Sequence, residues 1–352
     1  MSGLGYACYY LKNKSLIIMF HVEILSFILR NPKSFSLILV VTVPGHITQS
    51  TILNAYDSIR EHIRRTPVLR VPAGELIHDV PITLKFEQMQ HSGSFKARGG
   101  FNALLSGNIP ETGVIAASGG NHGAAVAYAA SKLGVRAEIF VPEIVSPAKL
   151  AKLEQYGARI NVVGENFSEA FSACLERQRE TGAHLLHAYD QLEIVAGQGT
   201  VGLELEEQAP EIDSLLVAVG GGGLIGGVAS WYRGRIKIIA VETTGTATLH
   251  SALKAGYPVG VSVSGLAADA LGASTIGDFG LEASKSYVHQ SVLVDDADVK
   301  AAQDCLWNNY RQIAEPGGAT ALAGLLSGAY VPEKDEKVGV LVCGGNASLS
   351  SF

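Results

Sequence analysis

The chain has 352 residues, 47% of them hydrophobic, which is enough for one large or two medium globular domains with a substantial core. A net charge of -6, from 27 basic and 33 acidic residues without any cluster of Lys and Arg, argues against a nucleic-acid partner. Cys8, Cys174, Cys305 and Cys343 stand far apart with no CxxC or His-paired spacing, which argues against a disulfide framework or a structural zinc and fits a reducing, cytoplasmic setting.

Residues 1–45 differ from the rest. Ser15 to Leu29 is apolar but broken by His21 and Glu23, and Phe35 to Val43 is too short to cross a bilayer as a helix, so no stable membrane span is expected. Lys12 and Lys14 before an apolar run loosely match a signal or transit peptide, yet no small-residue cleavage site follows. A poorly ordered extension, a mis-set start and a targeting segment all stay open, and the folded part is expected to begin near His46. Arg60, Arg64 and Arg65, ahead of Thr66-Pro67, read as a solvated helix end.

From Val114 onward, short β-branched runs alternate with helical patterns, the signature of an α/β protein with mainly parallel sheets. Val114 to Ser118 and Ala137 to Val141 read as strands around an Ala-rich helix, Gly123 to Leu133. Pro147 to Tyr156 reads as a helix stopped at Gly157, followed by a strand from Arg159 to Val163. His184 and His187 fall on a further strand, on opposite faces, and read as structural. Leu215 to Val219, Lys237 to Val241, Val292 to Val294 and Val338 to Val342 are continuous apolar runs, as strands buried on both faces require. Trp231, Tyr232 and Trp307 read as core or interface aromatics. A ligand is expected in a cleft at the carboxyl ends of these strands.

Four glycine-containing clusters carry the chemistry: SGSFKARGG (Ser92 to Gly100), SGGNHG (Ser118 to Gly123), GGGG (Gly220 to Gly223) and CGGN (Cys343 to Asn346). Gly220 to Gly223 follow a strand and precede a helix, so successive N–H groups can wrap an anion at the helix's positive end. A close-packed turn would need only one or two glycines. A nicotinamide-type reading is weak, because Glu242 meets the ribose-binding spacing only formally. Lys96 lies between an aromatic and small residues, whereas Lys85 and Lys132 have ordinary surface or helix neighbours. A lysine of lowered pKa beside a phosphate cup is what imine chemistry with pyridoxal phosphate (PLP) needs.

In this order and at these separations, SFKARGG, SGGNHG, VGGGGLIGG and CGGN resemble the fold-type II PLP enzymes, within them the serine/threonine dehydratase and serine racemase branch, from about Ile47 to the end of the chain. The resemblance implies two three-layer α/β domains of the tryptophan synthase β-like kind. The larger comprises 46–111 and 191–352; a smaller, mobile one, 112–190, closes over the substrate, and a homodimer is expected. It implies that Lys96 is the Schiff-base lysine and general base, that Phe95 packs on the cofactor and that Asn121 bonds the ring hydroxyl. Gly220, Gly221, Gly222 and Gly223, with the N–H of Leu224, hold the phosphate, Cys343 faces the pyridine nitrogen, and Glu315 lies near the ring. Ser118, Asn121 and His122 match the loop that binds the substrate carboxylate.

The chemistry expected is loss of the amino and hydroxyl groups from L-threonine or L-serine, giving a 2-keto acid and ammonia. A neutral thiol at Cys343 makes the ring a weak electron sink, which disfavours transamination. Racemases of the branch carry a second serine where this chain has Gly119, so racemisation is expected to be weak. Glu242 matches a cation ligand, but the second acid expected six residues on is Thr248. That set makes a poor divalent cage, leaving a monovalent ion or a glutamate satisfied by its neighbours. The chain ends soon after CGGN, which resembles the feedback-insensitive form and leads us to expect a less firmly held Cys343. Related hydroxy-amino acid dehydratases, a serine racemase, a β-replacement synthase and a non-catalytic ligand sensor are the competing readings.

Overall fold

A computed structural model describes residues 6–7, 20–21, 46–77 and 79–347. The chain divides into two compact units, 1–44 and 45–352. In the first, β1 (Tyr6–Ala7) pairs antiparallel with β2 (Phe20–His21). The rest of the expectations for that segment, Phe35 to Val43 included, lie outside the described residues. Among the described residues no helix is long and apolar enough to cross a membrane.

The second unit opens with α1 (Gln49–Ile59), whose start is fixed by a reciprocal cap: Thr48 Oγ1 accepts from Thr51 N (3.2 Å) and Thr51 Oγ1 accepts from Thr48 N (2.9 Å). There follow β3 (Val68–Val71), β4 (Ile82–Phe86) and α2 (Lys96–Ser106). Next come β5 (Val114–Ala117), α3 (Asn121–Leu133), β6 (Ala137–Val141), α4 (Pro147–Gln155), β7 (Arg159–Val162), α5 (Phe167–Thr181) and β8 (His184–Leu185). These strands form a four-stranded parallel sheet in the order β7-β6-β5-β8. Left-handed glycines end two of its helices, Gly134 (φ 68°) after α3 and Gly182 (φ 69°) after α5.

The chain then continues through α6 (Leu192–Gln208), β9 (Ser214–Ala218), α7 (Gly223–Tyr232), β10 (Lys237–Thr243), α8 (Thr248–Ala255), α9 (Ala268–Leu271), α10 (Asp278–Tyr287), β11 (Val288–Val294), α11 (Asp296–Tyr310), α12 (Pro316–Leu326) and β12 (Val338–Val342). With β3 and β4 they build a six-stranded sheet, order β11-β10-β9-β12-β4-β3, parallel except where β3 meets β4. β5, β9 and β12 are buried at every position, the outcome their nearly unbroken apolarity leads one to expect; β4 is buried throughout as well, despite Thr83 and Lys85 in its sequence.

The differences from the sequence reading have physical causes. β11 starts at Val288, four residues before the apolar run, because an edge strand leaves His289 and Gln290 exposed. Only His184 and Leu185 pair as a strand; His187 lies beyond it, and its Nδ1 accepts the N–H of Asp190 (2.9 Å). Trp231 is core, while Trp307 is 41% exposed.

Candidate active site

Three of the glycine clusters follow the carboxyl ends of β5, β9 and β12, and the fourth leads into α2. One cavity collects residues from all of them: Phe95, Lys96, Asn121, Gly220 to Leu224 and Cys343, with Glu315 from the start of α12. Ala270 and Leu271 of α9 and Tyr189 complete the wall.

Lys96 is the first residue of α2, and its side chain reaches the cavity floor. Nζ donates to the carbonyl of Ala188 (2.6 Å) and lies 5.3 Å from the centre of the Phe95 ring. Packing strips water from the ammonium and brings its pKa down to about 8. A lysine in that state sheds its proton close to neutrality and becomes a nucleophile and a base.

Across the cavity, Gly220 to Gly222 carry the chain from β9 into α7. The first intrahelical bond there runs from Gly226 N to Gly222 O (2.8 Å), so the amides before it have no partner within the helix. A Cβ on Gly221 would lie 2.2 Å from Tyr189 Cδ1, so the ring of Tyr189 packs directly on the glycine backbone. The turn is further held by Thr248, whose Oγ1 donates to Gly220 O (2.6 Å).

Polar groups cluster at the third side. Asn121 Nδ2 donates to Glu315 Oε1 (2.5 Å), and burial pushes the Glu315 carboxyl up to about 7 against the pull of that bond. The buried Cys343 thiol points to Gly317 O (3.4 Å); burial raises its pKa far above the usual thiol value, so it is neutral.

The loop Ser118 to His122, expected to bind a substrate carboxylate, is only partly directed into the cavity. Ser118 Oγ accepts the N–H of Gly120 (3.2 Å) and shapes the turn into α3. The His122 ring faces away: Nε2 meets Leu186 O at 3.0 Å, and because a carbonyl only accepts, Nε2 carries the hydrogen. Its Nδ1 is therefore a buried acceptor without a partner, and burial, then the nearness of Lys96, lowers the pKa to about 3. Whatever His122 offers an anion comes from its backbone. Gly119 has no side chain, and a Cβ there would lie 2.8 Å from Val145 Cγ2.

Glu242 at the end of β10 is engaged elsewhere. Its carboxylate accepts Leu249 N (2.8 Å) and His250 N (2.7 Å) at the start of α8, while Thr248 Oγ1, whose hydrogen goes to Gly220 O, lies 3.2 Å away. Burial nevertheless raises its pKa to about 7. Among the described residues no group of three His, Cys, Asp or Glu side chains is arranged to hold a metal ion.

Sequence reasoning missed several participants. Tyr189 sits in a loop with no motif around it. Asn346 closes CGGN but was given no role, although its Nδ2 donates to Asn121 Oδ1 (2.5 Å). Lys85, read as an ordinary surface lysine, is fully buried beside Glu204 and Glu87. No local signal could have found these, since each depends on residues more than a hundred positions away or on a loop's path.

The model of pyridoxal-phosphate dependent enzymes matches residues 59–344. L-threonine ammonia-lyase of Geobacter sulfurreducens is 35% identical over 314 residues, covering 86% of this chain and 76% of that protein. Phenylserine dehydratase of Ralstonia pickettii is 33% identical over 308 residues, 86% of this chain and 94% of that one. Among solved structures, maize serine racemase superposes with a TM-score of 0.82 at 31% identity, covering 87% of this chain and 96% of its own.

Proposed function

The chain belongs to the family of pyridoxal-phosphate dependent enzymes, and on that premise we propose that it is an ammonia-lyase removing the amino and hydroxyl groups of L-threonine or L-serine to give a 2-keto acid and ammonia. One observation carries the reading: an amine of lowered pKa with a single carbonyl partner shares a cavity with a run of four glycines that opens a helix.

The residues present fit the cofactor. Lys96 would hold it through Nζ, and the N–H groups of Gly220 to Leu224 would take the phosphate. Asn121 would meet the ring hydroxyl and Cys343 the ring nitrogen, with Phe95 packed alongside. When bound, pyridoxal phosphate supplies an aldehyde that captures the substrate amine and a ring that draws electrons from Cα.

The chain's own groups do the rest. Lys96 Nζ, whose pKa burial lowers to about 8, can in its neutral form accept the proton from Cα. The backbone amides of Ser118 to His122, at the start of α3, would orient the substrate carboxylate. Cys343, neutral and buried, cannot hold a proton on the ring nitrogen as a carboxylate would, which favours elimination over transamination. Residues 112–190 would close over the substrate and exclude water, and a cytoplasmic homodimer is the working form we infer from the resemblance. Glu242 needs no cation to be satisfied, because two backbone amides already donate to its carboxylate.

The relative named phenylserine dehydratase keeps a bulkier β-hydroxy substrate in view. Keto-acid and ammonia release should therefore be assayed with threonine, serine, phenylserine and 3-hydroxyaspartate. Turnover of threonine or serine, abolished by Lys96→Ala, is expected. Product formed only when an external nucleophile is added would instead indicate β-replacement.

A further inference from the structure

Lys152 reaches the site from α4, on the side of the four-stranded sheet. Its half-buried ammonium donates to Asn346 Oδ1 and to Ser92 O (3.0 Å). Asn346 Nδ2 donates to Ser92 O (2.9 Å) and to Asn121 Oδ1 (2.5 Å), and Asn121 Nδ2 donates to Glu315 Oε1 (2.5 Å). Four side chains from four parts of the chain thus make one directed line ending in the cavity.

The direction is dictated at its outer end. An ammonium has donors and no acceptor, so the atom of Asn346 that faces it must be oxygen. The Ser92 carbonyl, which only accepts, demands the same sense from the amide's other end. Asn346 then presents N–H to Asn121, which must answer with its oxygen and turn its own N–H₂ to Glu315. The backbone leaves room for this line. A Cβ on Gly93 (φ 84°) would fall 2.3 Å from Asn346 Oδ1, and one on Gly344 would fall 1.9 Å from Glu315 Oε1.

We propose that Lys152, acting through Asn346 together with the Ser92 carbonyl, is a positioning residue that holds which end of the Asn121 amide faces the cofactor. The inference rests on the cofactor reading above and adds a residue that no motif marks. Because Lys152 arrives on α4, its hold on the orientation of Asn121 depends on α4 being seated. The same helix is tied to the other side of the cavity by the ion pair of Lys149 with Asp269, next to the wall residue Ala270. Lys152 also pulls down the buried Glu315 carboxyl, so its loss would favour a neutral Glu315 and weaken the line at both ends.

The test compares holoenzyme carrying Lys152→Met, Lys152→Arg or Asn346→Asp with wild type, by pH titration of the cofactor's visible band and by kcat and KM. A ring oxygen that loses an N–H donor and meets a carbonyl holds its proton more tightly. Lys152→Met should raise the titration midpoint by about one pH unit and lower kcat about tenfold with little change in KM. Asn346→Asp, which can only accept and so reverses Asn121, should raise it further, and Lys152→Arg, which still donates, should restore it. Lost packing alone would leave the midpoint in place. An unmoved midpoint in Lys152→Met overturns the inference; if that variant cannot keep the cofactor, an unmoved midpoint in Asn346→Asp does so. A wild-type protein without any visible band would overturn the cofactor reading itself.

Discussion

Lys85 Nζ lies 2.5 Å from Glu204 Oε1, and no more than 1% of either side chain is exposed. Arg98 extends the pair: Nε and Nη2 grip Glu87 at 2.8 and 2.7 Å, and Nη2 also reaches Glu204 at 3.0 Å. Two cations and two anions are thereby sealed behind α2, two residues from Lys96. Removing Arg98 leaves two buried carboxylates to share the one cation Lys85 in a dry site, which is far costlier than losing a surface pair. Arg98→Met should destabilise the protein by about 3–5 kcal/mol, read as a lower urea midpoint. Stability equal to wild type would show that the four charges are not acting as a unit.

Lys96 gives a pH prediction with a definite sign. The neutral amine captures an aldehyde, and desolvation brings its pKa from the usual 10.5 to about 8. Cofactor uptake by the stripped protein should accelerate about tenfold per pH unit at lower pH and level off above about 8. The folded state loses this proton first, so between about 8 and 10.5 the unfolded chain binds more protons and the stripped protein gains stability as pH rises. Uptake still climbing toward pH 10 would mean an ordinary, solvated lysine.

The glycine turn proposed to take the phosphate can be probed at its tightest point. With Tyr189 Cδ1 only 2.2 Å from where a Cβ would stand, Gly221→Ala must displace the ring or the turn. Cofactor affinity should fall at least about tenfold, the effect of about one charged hydrogen bond lost, measured as loss of the visible band on dialysis. Gly221→Ala with Tyr189→Ala should recover part of it. Undiminished affinity in the single variant would place phosphate elsewhere.

Elimination needs one base, but racemisation also needs an acid on the opposite face of Cα. A serine at Gly119 would put its Cβ 2.8 Å from Val145 Cγ2 and 3.5 Å from Val141 Cγ1, so the space for a hydroxyl-bearing side chain is filled by Val145. D-serine formation, followed by chiral chromatography, should be slight in the wild type and in Gly119→Ser, and should rise in Gly119→Ser with Val145→Ala. Wild-type racemisation at the rate of elimination would contradict this.

Much of the fold was legible because burial on both faces leaves an unmistakable trace: β9, β10 and β12 are nearly unbroken apolar runs. The glycine clusters were legible for a related reason, since a backbone that must approach a ligand cannot carry side chains. β3 and β4 escaped, because Lys85 in ITLKF looks like the polar half of an alternating strand and its acid partner Glu204 lies 119 residues away. Lys152, Asn346 and Tyr189 escaped for the same reason. Their roles depend on which side chains the fold brings together, and a single sequence carries no record of that.

The claim on which the rest depends is that Nζ of Lys96 carries the cofactor. Borohydride reduction of the holoenzyme, followed by proteolysis and mass spectrometry, tests it most directly. The peptide spanning Ser92 to Arg98 should bear the pyridoxyl group on Lys96, and Lys96→Ala should bear none. A pyridoxyl group on another lysine, or on none, would contradict the account.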